Sequence, residues 1–92
     1  MNHTAEHIER LLLKEIADVC PELSASELRV DASLTADLGL DSLCLTSLFS
    51  MIKREIGAIE LSSWFIRASN SGIDTIASLA EHLACAAQRR AA

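Results

Sequence analysis

A chain of 92 residues, half of them hydrophobic and only 3% aromatic, has room for one small core and none for a deep substrate cavity with its own lid. Its formal net charge of −5 repels phosphate backbones and sets nucleic acid aside as a partner, while its apolar content is too high for an unfolded tail. The charge is uneven, with nine acids and three bases in residues 1–46 against four acids and five bases in residues 47–92, so basic partner surfaces are drawn to the first half.

Leucine, isoleucine and alanine supply most of the apolar content, which suits helices better than strands. No apolar run approaches the roughly 20 residues that span a bilayer, and Met1-Asn2-His3-Thr4 lacks the basic and apolar regions of a signal peptide. The expectation is a soluble, cytoplasmic, free-standing single domain over residues 1–92, with a core at about 5–87 and a frayed tail at 88–92. Cys20, Cys44 and Cys85 are far apart in the chain, odd in number and without metal-ligand spacing, which reads as three reduced thiols.

The first helix is expected from about Thr4, whose hydroxyl can cap it, to Val19, with Ile8, Leu11, Leu12, Ile16 and Val19 recurring at helical spacing. Cys20-Pro21 ends it, because proline disfavours helical backbone in the residue before it. Residues 22–40 form a long connection, expected to hold a short helical turn near Ser24 to Leu28 and to be anchored by Leu23, Leu28, Val30, Leu34 and Leu38. The second helix has the best pattern: Leu45, Leu48, Phe49, Ile52 and Ile56 share one stripe, with Asp41 as N-cap, Ser42 first in the helix and Gly57 as terminator. One or two turns follow from Ser62 to Arg67, then a polar loop Ser69-Asn70-Ser71-Gly72. The last helix starts at Asp74 or Thr75, turns Ile76, Leu79, Ala80 and Leu83 inward, and frays into Ala86–Ala92. The sum is an all-α small four-helix bundle, three helices long and one short, with a long first loop.

A serine by itself says little, and Asp41 and Ser42 are both residues that cap helices anywhere. The setting of Ser42 is more specific. Gly39 permits a tight turn, Asp41 precedes the serine, Leu43 follows it, and the apolar stripe begins only at Leu45. On a helical wheel Leu43 sits roughly opposite that stripe, beside Ser47, Ser50 and Arg54, where the core has no use for a leucine and a docking partner does. A phosphodiester on Ser42 would lie at a helix N-terminus, where free N–H groups and the macrodipole favour an anion by about 0.3–1 kcal/mol.

With its proline-terminated first helix, long loop and Leu38-Gly39-Leu40-Asp41-Ser42-Leu43 signature, the chain resembles an acyl carrier protein over about residues 5–87. The resemblance implies covalent 4'-phosphopantetheine, delivered from coenzyme A by a phosphopantetheinyl transferase onto Ser42, with Asp41 contributing to transferase recognition and its magnesium site. The arm's thiol then holds acyl or aminoacyl groups as thioesters. Loading by an acyltransferase or an adenylating ligase and delivery to ketosynthase or condensation enzymes follow from the same resemblance, as does a monomeric, non-catalytic protein with no metal of its own. Fatty-acid carriers resemble one another in an acidic second helix. Here that face holds Ser47, Ser50, Lys53 and Arg54, with Glu55 the sole acid between Ser42 and Gly57. Contacts centred on Leu43, Thr46 and Ser47 are therefore expected to be apolar and neutral, as suits a specialised polyketide, nonribosomal peptide or hybrid pathway. Peptidyl carriers usually have two adjacent glycines in the signature, and this chain has one. Trp64-Phe65 resembles a feature of some discrete carriers of small starter units, although aromatics that merely close the bundle are the plainer reading.

Other chemistry finds little support. His3, His7 and His82 have no ligand partner at metal spacing and read as solvated surface. Ser42 has an aspartate beside it but no histidine and no Gly-x-Ser-x-Gly elbow, which disfavours a hydrolase. Cys44 reads as a small hydrophobe at the edge of the stripe, and Arg89-Arg90 as a solvated tail. A peptidyl carrier protein of a nonribosomal peptide pathway and an unmodified helical adaptor that binds through Leu43 remain as the alternatives.

Overall fold

In a computed structural model, four helices follow one another: α1 (Ala5–Val19), α2 (Ser42–Glu55), α3 (Ser62–Ser71) and α4 (Ile76–Ala91). The structure describes residues 4–24 and 26–91, and of 88–91 the backbone only. Among these residues no strand forms; Ser33 and Thr75 meet in one isolated antiparallel bridge. The all-α expectation holds.

Thr4 caps α1 as its sequence implies, its hydroxyl accepting from the His7 N–H at 3.1 Å. Ile8, Leu12 and Ile16 are fully buried at successive i, i+4 positions, each burial contributing about 1.5–3 kcal/mol at most. That face meets α4 and α2. Cys20 closes the helix, its N–H still bonded to the Ile16 carbonyl at 2.8 Å, before Pro21 turns the chain away.

Where a short helical turn is expected, the long connection holds a single hydrogen-bonded turn near Ser24 that is not extended into a helix among the described residues. The Glu27 N–H donates to the Ser24 carbonyl at 3.0 Å, and the Glu27 carboxylate takes the Ser24 N–H at 2.9 Å and its hydroxyl at 3.0 Å. Those bonds hold the Glu27 carboxyl below its ordinary value. Leu34, Leu38 and also Leu40 are buried, Leu23 and Leu28 half-buried. Val30, expected as an anchor, stands 37% exposed; its carbonyl does the fastening instead, accepting from Ala77 N–H at 2.8 Å.

Buried Asp74 explains why α4 starts at Ile76 and not earlier. Its carboxylate accepts the Ser33 hydroxyl at 2.8 Å, the Thr35 hydroxyl at 2.8 Å and the Thr35 N–H at 3.3 Å. Its carbonyl accepts from the Leu34 N–H at 2.8 Å. Capping falls to Thr75, whose hydroxyl accepts the Ser78 N–H at 3.1 Å. Asp74 alone thus supplies four of the bonds that stitch the loop before α2 to the start of α4.

Two helices differ from the sequence expectation in detail. In α2 the buried residues are Leu48, Met51 and Ile52, while Leu45, Phe49 and Ile56 are half-buried and pack on the core's margin. The stripe is rotated toward Met51. Helix α3 runs on to Ser71, through residues whose polarity suggested a loop. Gly72 stops it with left-handed backbone (φ 72°), and the Ile73 N–H returns to the Ala68 carbonyl at 2.9 Å, a glycine closure that leaves the polar last turn on the surface. Trp64 and Ala68 are its buried residues. The backbone of α3 makes no close approach to another helix among the described residues. Rings connect it instead: Phe65 meets Phe49 edge-on at 6.0 Å, and Trp64 stacks on His82 at 5.8 Å.

His82 is a correction to the surface expectation. It lies against Trp64 because α4 turns that flank toward α3, and its Nε2 is buried without a hydrogen-bond partner among the described residues. Inward Ile76, Leu79, Ala80 and Leu83 are buried as expected. The helix then continues to Ala91 through the segment expected to fray. His3, Ala92 and the side chains of Arg89 and Arg90 lie outside the described residues.

Candidate functional site

The loop reaches α2 through Gly39, at φ 62°, with open space where a Cβ would sit. An alanine there meets no atom, yet costs about 1 kcal/mol in backbone strain. Leu38 and Leu40 on either side are buried, and the Leu40 N–H returns to the Leu34 carbonyl at 3.0 Å. The turn therefore pushes Asp41 outward from a fixed base.

Asp41 is extended and caps α2, Oδ1 accepting from the Cys44 N–H at 2.8 Å. That bond, first among the causes, holds its carboxyl below the ordinary 3.8, so it is ionised near neutrality. Ser42 is the first helical residue and exposed. Its hydroxyl has no partner among the described residues. The Leu45 N–H closes the first helical bond, to Asp41, at 2.9 Å, and the N–H groups of Ser42 and Leu43 stay outside the helical ladder.

Around Ser42 the surface is mixed. Leu43 is 78% exposed, as its wheel position implies. Thr46 is exposed, but its hydroxyl donates to the Ser42 carbonyl at 2.7 Å and so is committed to the helix. Ser47 is half-buried. Ser50, Lys53 and Arg54 are exposed farther along, and α2 has no acid in its first turn.

Three features had no local signal. Asp74 reaches residues 41 and 39 positions away. The His82 ring meets Trp64 across two helices. Cys44, half-buried, brings its sulfur within 2.7 Å of buried Cys20. That hydrogen bond, followed by burial and by Asp41, pushes the Cys44 thiol up to about 12. Because the thiolate is the nucleophile, Cys44 reacts slowly near neutrality. No group of three metal-ligating side chains gathers among the described residues.

A family model described as phosphopantetheine attachment site matches residues 10–83, from within α1 to within α4. The chain belongs to that family. It is a carrier protein of the acyl carrier family and carries covalently attached 4'-phosphopantetheine. No curated protein and no solved structure gives a significant match. The start of α2 fits the group, offering an exposed hydroxyl without a partner among the described residues at a helix N-terminus that favours a phosphodiester. Once bound, the group supplies a thiol for thioester chemistry at the end of a long arm.

Proposed function

We propose that Ser42 is the residue that bears the arm, and that the chain carries acyl or aminoacyl thioesters in a specialised biosynthetic pathway. The observation that supports Ser42 most is its combination of exposure and an unengaged hydroxyl directly behind the ionised Asp41 cap. Asp41, exposed at the start of the helix, serves transferase recognition. Exposed Leu43, with Thr46 and Ser47, forms the partner-docking face. An α2 without acid in its first turn and with Lys53 and Arg54 in its last favours partners other than the basic surfaces that greet fatty-acid carriers. The protein performs no chemistry itself.

The test is incubation of apo protein with coenzyme A, magnesium and a broad-specificity phosphopantetheinyl transferase. Intact mass rises by one arm, and Ser42→Ala abolishes the gain. A persistent arm in Ser42→Ala places the attachment elsewhere. The large exposure of Leu43 also suits an adaptor that binds through this face without modification; wild type that never gains mass, while a known carrier does in the same tube, selects that reading.

A further inference from the structure

We propose that Cys20 and Cys44 form a reversible dithiol–disulfide site which, when oxidised, fastens the first turn of α2 to the end of α1. Their sulfurs lie 2.7 Å apart, longer than the roughly 2.05 Å of a disulfide, so little displacement separates contact from bond. Both cysteines ride on held backbone. Cys20 donates its N–H to Ile16 at 2.8 Å and accepts from Leu23 N–H at 3.1 Å; the Cys44 N–H is the one that Asp41 caps. Cys85 makes no sulfur contact among the described residues and stands exposed on α4. It is an internal comparison within the same chain.

Access sets the order of events. Cys20 is 2% exposed and Cys44 half-buried, so a small-molecule disulfide such as oxidised glutathione meets Cys44 first. The Cys44 thiolate attacks one glutathione sulfur, forming a mixed disulfide and expelling one glutathione thiolate. Cys20, its proton lost to water, then attacks the Cys44 sulfur, breaks the mixed bond and releases the second glutathione. Two protein thiols together lose two electrons and two protons, and the glutathione disulfide gains them. The hydrogen bond that keeps Cys44 protonated makes the first attack slow near neutrality and faster as pH rises. The closed bond spans 24 positions and restricts the unfolded chain, raising the thermal midpoint by roughly 10 °C.

The experiment treats the full apo chain with oxidised glutathione in mildly alkaline buffer, followed by non-reducing tryptic mapping. The expected product joins peptide 15–29 to peptide 30–53 within one chain, with the pair two hydrogens lighter, a single glutathione on Cys85 and a raised midpoint that dithiothreitol reverses. Cys20→Ser leaves glutathione on Cys44 and no midpoint rise; should that variant not fold, Cys44→Ser loses the rise in the same way. The proposal is overturned if wild-type Cys44 retains glutathione, if it stays unreacted while Cys85 reacts, or if the link forms only between two chains. None of these outcomes depends on whether Ser42 carries an arm.

Discussion

Helices α2 and α3 both begin with an exposed serine, Ser42 and Ser62, and the resemblance ends there. Ahead of Ser42 stands Asp41, whose carboxylate caps the helix. Ahead of Ser62 stands buried Leu61, which makes no side-chain cap bond. Glu60, one residue farther back, substitutes by taking the Ser63 N–H at 3.1 Å and hydroxyl at 3.0 Å. Exposed Leu43 follows the first serine and polar Ser63 the second. A free hydroxyl at a helix start is thus not rare even within one small protein. What sets Ser42 apart is an outward carboxylate on one side, an outward leucine on the other, and a loop beneath it tied to α4.

The sharpest way to break this comparison is to exchange serines. Ser42→Ala is expected to lose arm incorporation completely, and Ser62→Ala to lose none, by intact mass after transferase treatment. Modification at Ser62 in either variant would mean that position alone, rather than its neighbours, attracts the enzyme. Next in size is the anchor beneath the first site. Asp74→Ala leaves the Ser33 and Thr35 hydroxyls without their buried acceptor and is expected to cost about 1–3 kcal/mol in urea unfolding. Amide exchange should quicken through residues 33–45 and hardly change in α3.

How much of this was legible beforehand depends on how far apart the interacting residues are. The Thr4 and Asp41 caps, the proline stop after α1 and the inward residues of α4 all depend on neighbours within about one turn, and the sequence reports such neighbours directly. The sequence allows the last helix to start at Asp74 or at Thr75, and no neighbour within a turn marks the role of Asp74. Only the fold reveals that Ser33 and Thr35 reach it first. The extra turn of α3 was hidden by Ser69, Asn70 and Ser71, poor helix formers that tertiary setting and the Gly72 closure keep helical on an exposed edge. The contacts of Cys20 with Cys44 and of Trp64 with His82 join separate helices, and no spacing rule records them.

A smaller effect distinguishes how the two helices are held. Because α3 is attached by rings and lacks close backbone packing, its amides are expected to exchange faster than those of α1, whose Ile8, Leu12 and Ile16 are fully buried. Hydrogen exchange read by mass spectrometry decides it. Slower exchange in α3 would show that the ring contacts hold it as firmly as a buried apolar face holds α1.

The smallest effect is in acid, and it again sets the two helix starts side by side. Hydrogen bonding lowers both carboxyls, Asp41 chiefly through the Cys44 N–H and Glu60 chiefly through the Ser63 N–H. A folded value below the unfolded one contributes stability that is present above the unfolded value and is lost as pH falls through the folded value. The ordinary values are 3.8 for Asp41 and 4.5 for Glu60, so each loss is confined to acid, and both caps are intact near neutrality. Amide chemical shifts of Cys44 and Ser63 followed through an acid titration should each report a midpoint below the ordinary value of the carboxyl they serve. Asp41→Asn retains a side-chain acceptor for the cap but has no proton to gain. It should flatten the Cys44 titration, leave that of Ser63 unchanged, and slow loading by the transferase. If loading instead proceeds at the wild-type rate, the carboxylate at the start of α2 is a cap and nothing more, and its difference from Glu60 carries no functional meaning.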